Sequence, residues 1–163
     1  MATDVEIARL LKAMRCIARA LDVHSARIYR ELGLTLPQLI VLSCVRDLGE
    51  VTGRAISRQA GLSPPTVVGI LDKLAAKGLV ERYRSAIDRR IVHARLTALG
   101  VGTLGEAPPL LGEPFLAGLA RLDPAEREAM IAVCERIAAM QEVDAVHDSA
   151  ALAEAPVAGR GPG

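Results

Sequence analysis

A chain of 163 residues with 51% hydrophobic side chains can bury a core and is too apolar to be a disordered polymer. Aromatic residues are only 2% and Trp is absent, so the core has to come from Leu, Ile, Val, Ala and Met, which suits closely packed helices. The net charge of +1 excludes nothing by itself, but three widely spaced cysteines exclude a disulfide framework, and no apolar run approaches the roughly 18 residues of a membrane span. Residues Met1 to Arg9 lack a signal-peptide core, so a soluble, reducing, cytoplasmic setting with no membrane partner is expected.

Ile7, Leu10, Leu11, Met14, Ile17, Leu21 and Ile28 recur at steps of three and four, which predicts an amphipathic helix from Asp4 to Glu31. Gly33 ends it. Thr35 followed by Leu36-Pro37-Gln38 opens a second helix, to about Leu48, with Pro in the first turn. Thr52 caps a short third helix, Gly61-Leu62 makes a tight turn, and Ser63 caps a fourth helix that runs to Lys77. Leu79 to Arg84 and Ile91 to Leu96 read as a hairpin with the basic tip Ser85 to Arg90. Thr97 opens a stretch thinned by Gly100, Gly102 and Gly105, with a break expected near Ala107 to Pro109 or near Pro114. Asp123-Pro124 starts a last helix to about Val146, and the Ala-, Pro- and Gly-rich end reads as a disordered tail.

The expected architecture is therefore mainly α with a small β-hairpin wing. Residues 1–34 form a dimerisation helix, 35–97 a winged helix-turn-helix, 98–147 further dimerisation helices, and 148–163 the tail. The long apolar-striped helices at the two ends need each other or a partner chain to cover them.

Charge distribution locates the function. Between Glu50 and Thr97 lie nine Lys/Arg and four Asp/Glu, a balance of +5, while the rest of the chain sums to −4. A basic island flanked by acidic ends suits a segment that meets phosphates. Two short helices with a glycine turn, then a hairpin, form a helix-turn-helix with a wing. Pro65, Thr66, Val68, Gly69, Asp72 and Lys73 lie on the outward face of its second helix, and Ser63 at its cap joins the candidate DNA surface. Thr66 can hydrogen-bond a base or phosphate, and Pro65 and Val68 can touch a thymine methyl. Gly69 lets the backbone come close, and Lys73 is placed for a phosphate. Arg84, Ser85, Asp88, Arg89 and Arg90 form the wing's candidate DNA surface. Its arginines suit the minor groove, with Asp88 orienting one of them.

The run Leu62 to Leu74, then Gly78-Leu79-Val80-Glu81-Arg82, Asp88-Arg89-Arg90 and Leu96-Thr97, resembles the MarR family of bacterial regulators, as does Thr35-Leu36-Pro37-Gln38. The likeness covers about Asp4 to Val146. It implies a triangular homodimer with intertwined terminal helices. Two recognition helices and two wings would meet a pseudo-palindromic double-stranded operator as a repressor, and a small-molecule effector would release it.

The ligand reading names Leu11, Arg15 and Cys44, with Arg15 as the group that could hold a carboxylate. In peroxide-sensing relatives the reactive cysteine falls at Leu11 and its assisting tyrosines at Ser25 and Leu36, so this chain departs from that branch. Cys16 and Cys44 read as small core hydrophobes. His24, His93 and His147 are isolated, which gives no metal site. There is no Gly-rich phosphate loop, HExxH or Gly-x-Ser-x-Gly, so neither catalytic residues nor a cofactor are expected. Two alternatives stand beside the repressor: a redox-responsive regulator acting through cysteine, and a winged helix that binds protein rather than DNA.

Overall fold

The computed structural model describes residues 1–140. Seven helices and three strands follow one another: α1 (Asp4–Leu32), α2 (Leu36–Leu48), β1 (Val51–Thr52), α3 (Gly53–Ala60), α4 (Pro64–Ala76), β2 (Val80–Arg84), β3 (Val92–Leu96), α5 (Ala98–Glu106), α6 (Glu113–Ala120) and α7 (Pro124–Ala139). The chain divides into two compact units, Met1–Glu113 and a second that begins at Pro114.

The predicted caps set the helix ends. Thr35 accepts from the Gln38 N–H while the Gln38 side chain accepts from the Thr35 N–H, a reciprocal box that satisfies two orphan donors. Thr52 and Ser63 cap α3 and α4, with Pro64 and Pro65 in a first turn that has no use for their missing N–H groups. Asp123 and Glu126 repeat the box at α7. Between α3 and α4 the chain reverses at Gly61, whose φ of +64° would strain an L side chain.

The core of the first unit lies between α2, α3, α4 and one face of the sheet. Leu34, Val41, Leu42, Val45, Ile56, Val67, Leu71, Leu74, Leu79, Val80 and Ala94 are buried in one cluster. Each large aliphatic among them contributes about 1.5–3 kcal/mol by leaving water.

Sequence pattern predicted a two-stranded hairpin. The sheet has three strands in the order β1-β3-β2, all antiparallel. Val51 pairs with Ala94 and Thr52 with His93, while Val80 pairs with Leu96 and Arg84 with Val92. The two-residue period turns Val51, Val80 and Ala94 to the core. On the other face Tyr83 stacks on His93 (centroids 5.5 Å) beneath the Arg95 guanidinium.

α5 joins the sheet through a tight corner. Thr97 N–H donates to the Leu79 carbonyl (3.1 Å), Thr97 Oγ1 donates to the Gly78 carbonyl (2.6 Å), and Thr97 Oγ1 accepts from the Gly100 N–H (3.0 Å). After α5 the break falls at Ala107 to Gly112, as Pro108 and Pro109 foretold, and Pro114 sits in the first turn of α6 instead of interrupting it. The connector is pinned to α1 by His24, a buried side chain whose Nε2 donates to the Pro109 carbonyl (2.7 Å). At the C-cap of α1, Lys77 Nζ donates to the Gly33 carbonyl (2.8 Å), which ties α4 to the same helix.

The last helix is described to Met140. Its predicted extension to Val146, the tail at 148–163 and His147 lie outside the described residues. Among the described residues no single helix is long and apolar enough to cross a membrane.

Candidate nucleic-acid interface

The outward face of α4 is built by what its inward face buries. Val67, Ile70, Leu71 and Leu74 point into the core, so the intervening positions face water. Ser63, Pro65, Thr66, Val68, Gly69 and Lys73 are all exposed. Ser63 Oγ and Thr66 Oγ1 lie 2.7 Å apart, and Ser63 also caps the Thr66 N–H, so the two hydroxyls form one polar corner at the start of the helix. A Cβ on Gly69 would meet nothing within 4 Å. The face is therefore small-residue, polar at its N-terminal end and cationic at Lys73.

The wing supplies the second surface. Arg84, Arg89 and Arg90 are exposed, and Ser85 and Asp88 are half-buried within the turn. Asp88 Oδ1 accepts from the Arg90 N–H (2.9 Å) and stands 3.5 Å from Arg90 Nε, so the acid at the tip holds an arginine. Arg84 donates to the Arg89 carbonyl (2.9 Å), which braces the strand against the tip.

Asp72, which helical spacing placed on the outward face of α4, pairs with Arg82 of β2 and links that helix to the wing strand. Glu81 pairs with Arg95 at 3.0 Å, and Glu50 approaches Arg95 at 3.7 Å. Glu50 beside the Tyr83 hydroxyl, with desolvation adding to the effect, holds that phenol above its ordinary value. Thus each of the four acids in the basic island faces an arginine. Among the described residues Arg54, Arg58, Lys73, Lys77, Arg84 and Arg89 have no carboxylate partner; Lys77 and Arg84 hold backbone carbonyls, and Arg54, Arg58, Lys73 and Arg89 are left free to meet phosphate.

The ligand candidates fall in different places. Leu11 and Arg15 line one shallow groove along α1, with Lys12, Cys16, Arg19 and Asp22. Cys44 lines neither that groove nor the cavity described next; it is buried in α2. Cys16 is exposed, which corrects its reading as a core residue. Burial pushes the Cys44 thiol up from its ordinary value, with Asp47 adding to the effect. Cys44 should therefore react with a thiol reagent only on unfolding, which an alkylation time course in native buffer and in denaturant measures. Rapid native labelling at Cys44 would show that the core around α2 opens.

A cavity of about 170 Å³ was missed by sequence reasoning. It lies between α2 and the connector after α5, lined by Leu39, Ser43, Arg46, Leu104 and Ala107 to Leu110. Pro108-Pro109 signalled a break in the helix, but no local pattern says over which element the broken chain then lies.

Comparison with known proteins fits this geometry. Residues 34–92 match the model of the MarR family, a segment that holds α2, α3, α4 and the wing turn. HosA, a transcriptional regulator of Escherichia coli O157:H7, is 29% identical over 130 residues, covering 77% of this chain and 94% of HosA. YsmB, an uncharacterised HTH-type regulator of Bacillus subtilis, is 29% identical over 94 residues, 58% of this chain; the match spans 64% of YsmB, just under two thirds. Among solved structures, Bordetella bronchiseptica BpsR, described for the regulation of its DNA binding by 6-hydroxynicotinic acid, superposes with a TM-score of 0.62 at 26% identity. That match covers 82% of this chain and 98% of BpsR. This chain is thus similar to the MarR family of transcriptional regulators, through a matched segment that holds all of the winged helix-turn-helix but its last strand and through a fold shared along most of its length.

Proposed function

We propose that the chain is a homodimeric repressor of a pseudo-palindromic operator, released by a small-molecule ligand. In this reading α4 enters the major groove by its N-terminal half and the wing reaches the adjacent minor groove. The observation that carries it is the pairing of every acid in the basic island, which leaves cations beside the small, polar face of α4. Ser63, Thr66 and Lys73 take phosphate or base contacts, Pro65 and Val68 take apolar ones, and Gly69 permits the approach.

Dimerisation is assigned to the ends of the chain, residues 1–34 and 98–147. Ile7, Leu10, Leu11, Met14, Ile17 and Leu21 are exposed along α1 at helical spacing. A continuous apolar stripe of that length in water is unfavourable, and a second copy supplies the matching surface. Sedimentation should give a dimer at micromolar concentration; a monomer would remove the second half-site.

The ligand is a small acid. Arg46 and Ser43 put a cation and a hydroxyl on a cavity whose other lining residues are Leu, Ala and Pro, of about the size that accepts a single aromatic ring. The α1 groove with Leu11 and Arg15 is the second place to look, with Cys44 the third residue assigned to the ligand. BpsR makes 6-hydroxynicotinic acid the first compound to try.

Selection from a randomised duplex pool, followed by gel shifts across salt concentrations, tests the reading. An inverted repeat should be enriched, with affinity falling steeply as salt rises. No enrichment at any salt favours a winged helix that binds protein. Thr66→Ala should alter the preference at one base-pair position by about 1–3 kcal/mol, read by repeating the selection. An unchanged preference removes Thr66 from base readout.

A further inference from the structure

The tip of the wing is held from inside. Ser85 Oγ accepts from the N–H groups of Ile87 (3.2 Å) and Asp88 (3.3 Å). Ser85 N–H donates to the Ile91 carbonyl and Ile91 N–H to the Asp88 carbonyl, both at 2.9 Å. Arg84 and Asp88 add the contacts to Arg89 and Arg90 already described. A turn tied by its own polar groups has no need of an apolar side chain to fold. Yet Ile87 stands at its summit, 99% exposed and packed on nothing.

A lone exposed aliphatic is ordinary on a protein surface. Two things set this one apart: it sits on a braced turn, and Arg89 and Arg90 stand exposed beside it. The arginines select a polyanion as the surface that comes to the tip. The walls of a DNA minor groove are deoxyribose C–H groups, an apolar lining between two rows of phosphates. A β-branched side chain is stiff at χ1, so little rotamer freedom is lost on contact.

We propose that Ile87 is the wing's apolar contact with DNA, packing against the deoxyribose walls of the minor groove while Arg89 and Arg90 meet phosphates and the groove edge. The inference rests on the DNA-binding reading above. It has a signature that a cationic contact lacks: it adds affinity without releasing counterions.

The probe is the duplex most enriched from a randomised pool by the wild-type chain. Ile87→Ser should bind it about tenfold more weakly, the loss expected from leaving part of an isoleucine in water. The slope of log affinity against log salt should stay that of the wild type, and thermal melting should be unchanged because Ile87 packs on nothing. Ile87→Leu should restore binding to within about twofold. Wild-type affinity in Ile87→Ser overturns the proposal and leaves the DNA reading standing. So does a loss that comes with a shallower salt slope, because the residue would then act through the arginines. Failure of the wild-type chain to enrich any duplex overturns the DNA reading and this proposal with it.

Discussion

Gly100→Ala should lower stability by about 3 kcal/mol, roughly 10 °C in melting temperature. Helix propensity alone predicts the opposite sign, since alanine in place of a helical glycine gains about 1 kcal/mol. Packing decides the matter. A Cβ at Gly100 would stand well inside van der Waals contact of the Leu79 carbonyl oxygen, 3.1 Å from the carbonyl carbon and 3.3 Å from Leu96 Cδ2. The Leu79 carbonyl cannot turn aside, because it already accepts from the Thr97 N–H in the corner that seats α5 on the sheet. Either that corner opens or α5 lifts away. Gly69→Ala serves as the internal contrast: its Cβ meets nothing within 4 Å, so it should gain about 1 kcal/mol of stability in the absence of DNA. Thermal or urea unfolding of the two variants checks both signs. A stabilised Gly100→Ala would show that α5 is not seated on Leu79.

The double variant Arg89→Ala, Arg90→Ala should bind its selected duplex about thirtyfold more weakly near 0.15 M salt. Each phosphate contact contributes about 0.9 to the slope of log affinity on log salt, so the slope should fall by nearly two. Both side chains are exposed at the tip, and Arg90 touches only Asp88 there, so the fold has little to lose. Arg90→Ala alone should give about half of the slope change. Affinity equal to the wild type across a salt titration would remove the wing from the interface. A large loss with an unchanged slope would mean that the substitutions disturb the turn rather than the charge.

Much of this architecture can be read from residue order because its signals are local. Thr35 with Gln38, Ser63 before two prolines, and Asp123 with Glu126 each fix a helix start within four residues. The exposed positions of α4 follow from the burial of Val67, Ile70, Leu71 and Leu74 at helical spacing. What stayed hidden depends on distant partners. β1 is two residues long, too short for any period, and exists because β3 offers it an edge. Asp72 has helical spacing that points it outward, but Arg82 ten residues on reaches back to it. Cys16 was assigned to a core because a free cysteine commonly packs as a small hydrophobe, a preference of the residue type that carries no information on which part of α1 is covered. The cavity over α2 depends on where the connector comes to rest, and His24, 85 residues before Pro109, takes part in that.

The pairing of the island's acids also bears on how fast the protein finds its target. A carboxylate already engaged with arginine offers little repulsion to an approaching backbone, so the attraction acts at Debye range, before any base is read. Such a surface engages any duplex weakly and can slide or hop along it. Freeing a single acid, for example by Arg82→Gln beside Asp72, would then slow the search for the operator while leaving the bases that are read unchanged.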